Sequence, residues 1–279
     1  MAAARFHAAI TTPFAADGTV DLEAFGGHVA WLGDAGLDGV FVAGTTGEGV
    51  LLEEDEVAAL VERAVGAAPR ALRVIAQVGR PSTPATARLA RRAIELGADA
   101  VAAYVPWFYP AADAEARTHF LGLLEAAGDT PAFTYNIPRR TVNDLTPELL
   151  AELAGAGFAG MKDSTGDFAR HEAYLDALDG RPFELYVGSE PLVLRAFRRG
   201  ATGAITGLAG CRPELFAALR EALETGDDDT AERLQAQIAQ AKAEVESEGS
   251  TVAGVKRRVT AALADRDVAY PPAPRPPFA

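Results

Sequence analysis

Lysine is nearly absent from this sequence. Lys162, Lys242 and Lys256 are the only three, and arginine carries the rest of the fixed positive charge. Cysteine is scarcer still: Cys211 stands alone, so no intrachain disulfide can form and no oxidising compartment is needed. The four histidines, His7, His28, His119 and His171, lie far apart without HExxH-type spacing; with one cysteine, this argues against any structural zinc site. No window approaches the ~20 consecutive apolar residues of a membrane span. Positive charge is in deficit, at a net −13 and a pI of about 4.8, which excludes a nucleic-acid backbone or an anionic membrane surface as partner. That acidity reads as a solvated surface. GxxxxGK[ST] does not occur and no GxGxxG follows a strand pattern, so nucleotide cofactors have no support. The opening MAAARFHAAITTPF lacks the basic n-region and continuous apolar stretch of a secretory signal, and a cytoplasmic protein is expected.

What is present is a core-sized apolar content, 49% of 279 residues, cut into short runs. VFVAG, RVIAQV and AFTYN are hydrophobic on both faces, the pattern of parallel strands covered by helices. Eight such runs predict strands over Phe6–Thr11, Gly39–Ala43, Arg73–Val78, Ala100–Tyr104, Ala132–Asn136, Phe158–Lys162, Phe183–Val187 and Gly203–Thr206. Amphipathic stretches separate them, several opening at Asp or Thr, some with proline at the first turn, and closing at glycine. Eight strand–helix units predict a (β/α)8 TIM barrel in the α/β class, with a doubly wound sheet as the other arrangement of the same pattern. The eighth helix is expected over Pro213–Glu224. Residues 1–224 then form the catalytic barrel, and residues 225–279 a C-terminal helical extension packed on it, ending in the proline-rich YPPAPRPPFA. An extended tail hugging the surface is the expected form of that end, an SH3-type ligand the other reading.

Chemistry in such barrels collects at the C-terminal ends of the strands. There the sequence sets TTPF, GTTGE, YVPWFYP, YNIPRRT, MKDST, GSE and TG, after strands 1, 2, 4, 5, 6, 7 and 8 respectively. A half-buried lysine ending strand 6 can lose its proton near neutral pH and attack a ketone, giving a Schiff base that serves as electron sink. Lys162 could equally pair with Asp163. Tyr135 could exchange protons beside the amine, or simply pack inside the barrel. The turn Gly44–Glu48 offers Thr45, Thr46 and backbone N–H groups to a carboxylate, although a plain strand–helix turn would look the same. Arg140, in a loop stiffened by Pro138, could grip a carboxylate in bidentate fashion or be a surface arginine.

GTTGE, YNIPRRT and GMKDST, in this order and spacing, resemble the dihydrodipicolinate synthase/N-acetylneuraminate lyase superfamily, whose members are class I, Schiff-base pyruvate aldolases and condensing enzymes. The resemblance extends from AAITTPF to the closing RPPF. It implies that Lys162 forms the Schiff base with pyruvate and that Tyr135 shuttles protons. Thr45 would link Tyr135 into a relay, and Thr46 would bind the carboxylate. Ile205 would turn its carbonyl toward the lysine, while Gly188, Ser189 and Glu190 would line the pocket for the second substrate, an aldehyde. It also implies no metal and no organic cofactor, since the lysine adduct is itself the electron sink. Family members are commonly tetramers built from dimers, so a homo-oligomer (dimer or tetramer) is expected, with Trp107, Phe108 and Tyr109 on an interface loop.

The sequence departs from the synthase pattern in two places. Phe108 stands where synthases carry a tyrosine donated to the neighbouring subunit's relay, and only a one-residue loop shift would let Tyr109 replace it. Val142 stands where they carry glycine, which disfavours a positive φ there and predicts a different seat for the Arg140 loop. Arg140 itself matches the residue that binds the carboxylate of aspartate semialdehyde in synthases. KDST-GD looks closer to 2-keto-3-deoxy-acid and 4-hydroxy-2-oxo-acid aldolases. The expected activity is therefore a pyruvate-yielding aldolase, with 4-hydroxy-tetrahydrodipicolinate synthase as the alternative. A non-catalytic ligand-binding barrel and a phosphosugar enzyme using GSE and GLAG as a phosphate cup are the readings from other classes.

Overall fold

The computed structural model describes residues 3–277; Met1 and Ala2 of the opening stretch and Phe278 of RPPF lie outside it. Eight strands close into one parallel barrel in chain order: β1 (Arg5–Ala9), β2 (Gly39–Val42), β3 (Arg73–Gln77), β4 (Ala100–Tyr104), β5 (Ala132–Asn136), β6 (Gly160–Asp163), β7 (Glu184–Val187) and β8 (Gly203–Thr206). The doubly wound alternative is thereby excluded. Closure is made where β1 pairs with β8, Arg5 opposite Gly203. Only glycine fits at that seam, because a Cβ on Gly203 would lie 1.8 Å from the Arg5 carbonyl oxygen.

Between the strands run α1 (Leu22–Asp34), α2 (Glu54–Ala67), α3 (Thr83–Glu95), α4 (Asp113–Ala127), the single turn α5 (Pro138–Thr141), α6 (Pro147–Ala156), α7 (Phe168–Leu178), α8 (Val193–Arg199) and α9 (Pro213–Thr225). Their ends follow the expected chemistry. Asp21, Thr146 and Asp167 cap α1, α6 and α7 with side-chain oxygens, and Gly157, Gly200 and Gly226 close α6, α8 and α9 in the left-handed region. Two helices follow, α10 (Asp228–Ser247) and α11 (Thr251–Ala264). Gln235 of α10 bridges the Glu190 carbonyl and the Leu194 amide. No helix among the described residues is long and apolar enough to cross a membrane.

Strand ends differ from the predicted ones for identifiable reasons. β1 stops at Ala9 rather than Thr11: the Thr11 hydroxyl and carbonyl meet the Tyr270 hydroxyl (2.6 and 3.0 Å), and Thr12 bonds the Gly47 carbonyl (2.7 Å). β6 starts at Gly160 rather than Phe158, whose ring packs edge-on against Phe120 at 5.8 Å. β7 starts one residue late, at Glu184. Register does the rest. Tyr104 stands opposite Tyr135, Tyr135 opposite Lys162, and Lys162 opposite Tyr186 on neighbouring strands. The strand period of two then sends Tyr104, Tyr135 and Tyr186 into an inner cluster with Phe41, Phe133 and Ile205, while the alternate positions face the helices.

Candidate active site

Lys162 is buried at the top of β6. Its Nζ lies 4.5 Å from the Phe41 ring centre and 4.4 Å from that of Tyr135, and among the described residues it has no ion pair. Asp163 is directed elsewhere by the strand alternation. Its carboxylate meets His171 Nδ1 at 2.8 Å and accepts from the Thr165 amide and hydroxyl (2.9 and 2.7 Å). The lysine therefore presents an amine rather than half of a salt bridge.

Tyr135 is buried with its ring stacked on Tyr104 at 4.8 Å. Both phenols reach the same hydroxyl: Thr45 Oγ1 is 3.3 Å from Tyr135 Oη and 3.2 Å from Tyr104 Oη. A threonine hydroxyl owns one proton, so it can donate to one ring while accepting from the other. That arrangement can carry a proton along three oxygens. Burial, and then the neighbouring Tyr135, push the Tyr104 phenol up, so this phenol keeps its proton and serves as a donor. Tyr104 was not picked out from the sequence as a site residue. Its signal was there: it ends β4, Tyr135 stands one residue before the end of β5, and the ladder sets them side by side.

The Thr45–Thr46 turn is a strained piece of chain. Ala43 and Glu48 at its two ends both have φ of 56°, and left-handed backbone costs an L-residue about 1–2 kcal/mol. Gly49 has no room for a side chain, since a Cβ would lie 1.7 Å from the Ala43 carbonyl oxygen. Thr46 faces Gly207 beyond β8, its Oγ1 3.1 Å from where a Gly207 Cβ would be. Ile205 lies just below, in the inner cluster.

A cavity of about 360 Å³ opens beside this turn, with Thr45, Tyr104, Trp107 and Arg140 on its wall. Trp107 meets Tyr104 edge-on at 5.5 Å. Arg140 sits at the end of α5, exposed and without an ion pair among the described residues. Behind it Val142 takes φ 57°, left-handed despite its branched side chain, so the turn carries backbone strain there. Phe108 and Tyr109 are each 74% exposed, and neither reaches Thr45 within the chain. Asn143, also unnoticed in the sequence, ties the two loops together: its amide donates to the Pro106 and Tyr109 carbonyls and accepts from the Ala111 amide.

Gly188, Ser189 and Glu190 are not on the wall of that cavity, and neither are Lys162, Tyr135, Thr46 and Ile205. Gly188 donates to the Asp163 carbonyl at 2.6 Å. Ser189 precedes a 3-10 turn over Glu190–Leu192. The buried Glu190 carboxylate accepts from the Leu208 amide at 3.3 Å and lies 3.8 Å from Lys242 Nζ, anchoring the loops after β7 and β8 to α10. Among the described residues no three His, Cys, Asp or Glu side chains converge as metal ligands.

Comparison with known proteins agrees with this geometry. The profile of the Dihydrodipicolinate synthetase family matches residues 2–279. An uncharacterised DapA-like lyase of Halobacterium salinarum is 36% identical, over 88% of this chain and 80% of the relative. A 4-hydroxy-tetrahydrodipicolinate synthase of Rhizobium meliloti is 35% identical, over 81% of this chain and 77% of its own. Among solved structures, KD(P)GA from T. tenax superposes with a TM-score of 0.87 at 31% identity, covering 99% of this chain and 92% of that one. A prophage protein of E. coli K12, solved in complex with pyruvate, shares the fold with a TM-score of 0.93 at 23% identity, covering 99% and 92%.

Proposed function

The chain belongs to the dihydrodipicolinate synthetase family, whose relatives are lyases and aldolases, and on that premise we propose that it reversibly joins pyruvate to an aldehyde through a Schiff base on Lys162. The observation that carries this reading is the unpaired Lys162 amine against the Tyr135 ring, with Tyr135 hydrogen-bonded to Thr45.

Lys162 Nζ attacks the keto carbon, and loss of water gives the protonated imine. A proton leaves the neighbouring methyl group, and the resulting enamine attacks the aldehyde carbon. The aldehyde oxygen takes up a proton as the carbon–carbon bond forms, and water releases a 4-hydroxy-2-oxo acid. Tyr135 moves these protons, and Thr45, itself held by the Tyr104 phenol, orients the Tyr135 hydroxyl for the transfers. Thr46 and the backbone N–H groups of its turn hold the pyruvate carboxylate. The electrons released in each direction rest on the imine nitrogen, so neither metal nor organic cofactor takes part.

Arg140 marks the acceptor end. Other polar groups on that cavity's wall are already engaged: Glu48 with Lys256, Thr141 with the Ile137 and Asn143 carbonyls, and Ser250 with the Ala253 amide. An acceptor carrying a carboxylate suits this wall, which keeps 4-hydroxy-tetrahydrodipicolinate synthase, with aspartate semialdehyde, as the alternative to a 2-keto-3-deoxy- or 4-hydroxy-2-oxo-acid aldolase. The exposed Phe108, Tyr109 and Val142 support self-association into a dimer or tetramer.

Borohydride reduction in the presence of pyruvate, followed by peptide mapping, tests the reading. Lys162 is the expected site of the adduct, and Lys162→Ala should abolish it. Folded protein that leaves Lys162 unmodified would overturn the mechanism. With an adduct in hand, turnover of aspartate semialdehyde against 2-keto-3-deoxy acids separates the two activities. Light scattering at dilution, for the parent and Phe108→Ser, reads the assembly.

A further inference from the structure

Lys256 is the second buried lysine, and it is not placed to react. It sits on α11, fully enclosed, with Nζ 2.5 Å from Glu48 Oε1 and 2.9 Å from the Ala273 carbonyl, 4.4 Å over the Phe14 ring. Glu48 is the last residue of GTTGE. Its other oxygen accepts from the Arg275 backbone amide at 2.8 Å. The Arg275 side chain reaches three further points around the same turn: the Leu51 carbonyl (3.0 Å), the Gly18 carbonyl (2.7 Å) and the Glu56 carboxylate (2.6 and 2.7 Å). A second tie runs through Tyr270, which bonds Thr11, whose neighbour Thr12 holds the Gly47 carbonyl.

These contacts converge on one short segment. Residues 43–49 carry two non-glycine left-handed residues, and Glu48, one of them, is also a buried charge. Such a turn persists only where its surroundings over-determine it. What over-determines it is chain more than 200 residues away in sequence, rather than anything on β2 or α2 alone. Both oxygens of the Glu48 carboxylate are taken up in these contacts, so it has no share left for a substrate.

We propose that Lys256 and Arg275 are positioning residues: Lys256 through Glu48, and the Arg275 side chain through the Leu51 and Gly18 carbonyls and Glu56, fix the turn that carries Thr45 and Thr46, so the C-terminal strap sets the geometry of the pyruvate site. The catalytic consequence rests on the function proposed above; the mechanical one, that the strap holds the turn, does not.

The test uses full-length protein with Arg275→Ala and, separately, Lys256→Met. Neither substitution touches Lys162, Tyr135 or Thr45. Amide hydrogen exchange across residues 43–49 should quicken in both variants while exchange across β4–β6 stays at the parent's rate. Trapping of pyruvate on Lys162 should slow by about tenfold to a hundredfold, the order that follows remote displacement of a catalytic group. In a background carrying Thr45→Val and Thr46→Val together, the same substitutions should slow trapping little further, because their effect runs through those two hydroxyls. A merely structural loss would instead add to it. Unchanged exchange across 43–49 in a folded Arg275→Ala variant overturns the proposal, as do additive losses. Should Lys256→Met fail to fold, Arg275→Ala decides. A parent protein that forms no adduct removes the aldolase reading, and the exchange experiment then still judges the strap.

Discussion

Two phenols share the one hydroxyl of Thr45, and their inequality can be measured. Tyr135 also flanks the lysine, whereas Tyr104 stacks on Tyr135 and faces the cavity beside Trp107. Tyr104→Phe should therefore lower kcat by about tenfold to a hundredfold, less than the ~10²–10⁴ associated with a direct proton-transfer group. Borohydride should still map the adduct to Lys162. Tyr135→Phe should lose more. Equal losses would place both phenols in direct contact with the substrate. Val142 offers a second single-residue test. It is exposed and held at φ 57°, so Val142→Gly should leave stability level or raise it by up to about 1 kcal/mol, the relief of strain set against glycine's freer unfolded chain. A denaturant midpoint reads this directly, and a clear loss of stability would mean that the valine makes contacts worth more than its strain. At this scale the sequence was legible where residue type and strand end coincided, as for Lys162 and Tyr135. Tyr104 escaped because a tyrosine at a strand end also looks like core; only the β4–β5 register gives it a partner.

The element that matters most to the site is the turn between β2 and α2. Gly49→Ala should collapse it, since the new methyl group would meet the Ala43 carbonyl at 1.7 Å. The expected result is a loss of several kcal/mol, on the order of ~2–4, in urea unfolding, together with loss of pyruvate trapping. Wild-type stability would show that the turn can be redrawn cheaply. The eight strands were legible because each is a short apolar run between turn residues, too short for a helix and alternating with amphipathic stretches, as parallel strands buried on both faces read. Their exact ends were not, because Thr11 and Phe158 leave the ladder for partners that local sequence cannot name: Tyr270 in the tail and Phe120 on α4. Glu190 shows the same limit. A carboxylate after β7 reads as a substrate group, and local sequence cannot name the α10 partner, Lys242, that the structure sets 3.8 Å from it.

Across the whole molecule, three histidines set a stability limit on the acid side. Burial holds the His7 imidazole at about 3, helped by Arg73 and Arg5, and holds His28 and His119 at about 4. In the unfolded chain all three titrate near 6.5. Below that value the unfolded state binds protons that the folded state refuses, so stability is complete above pH 6.5 and falls as the pH drops toward 4. Each group adds a slope of up to about 1.4 kcal/mol per pH unit within that window. Urea midpoints between pH 7 and pH 5 should fall steadily, and should fall less in His28→Gln. A flat profile there would show that these rings take up protons in the folded protein as readily as in the unfolded chain.

The strap joining Arg275 to the turn at Glu48 also has a meaning in time. A ribosome adding ~5–20 residues per second needs on the order of ten to forty seconds to travel from one to the other. For that whole interval the two threonines exist without the chain that holds them. The nascent protein carries Lys162, Tyr135 and Tyr104, and the turn at Glu48 lacks these contacts until Arg275 clears the exit tunnel.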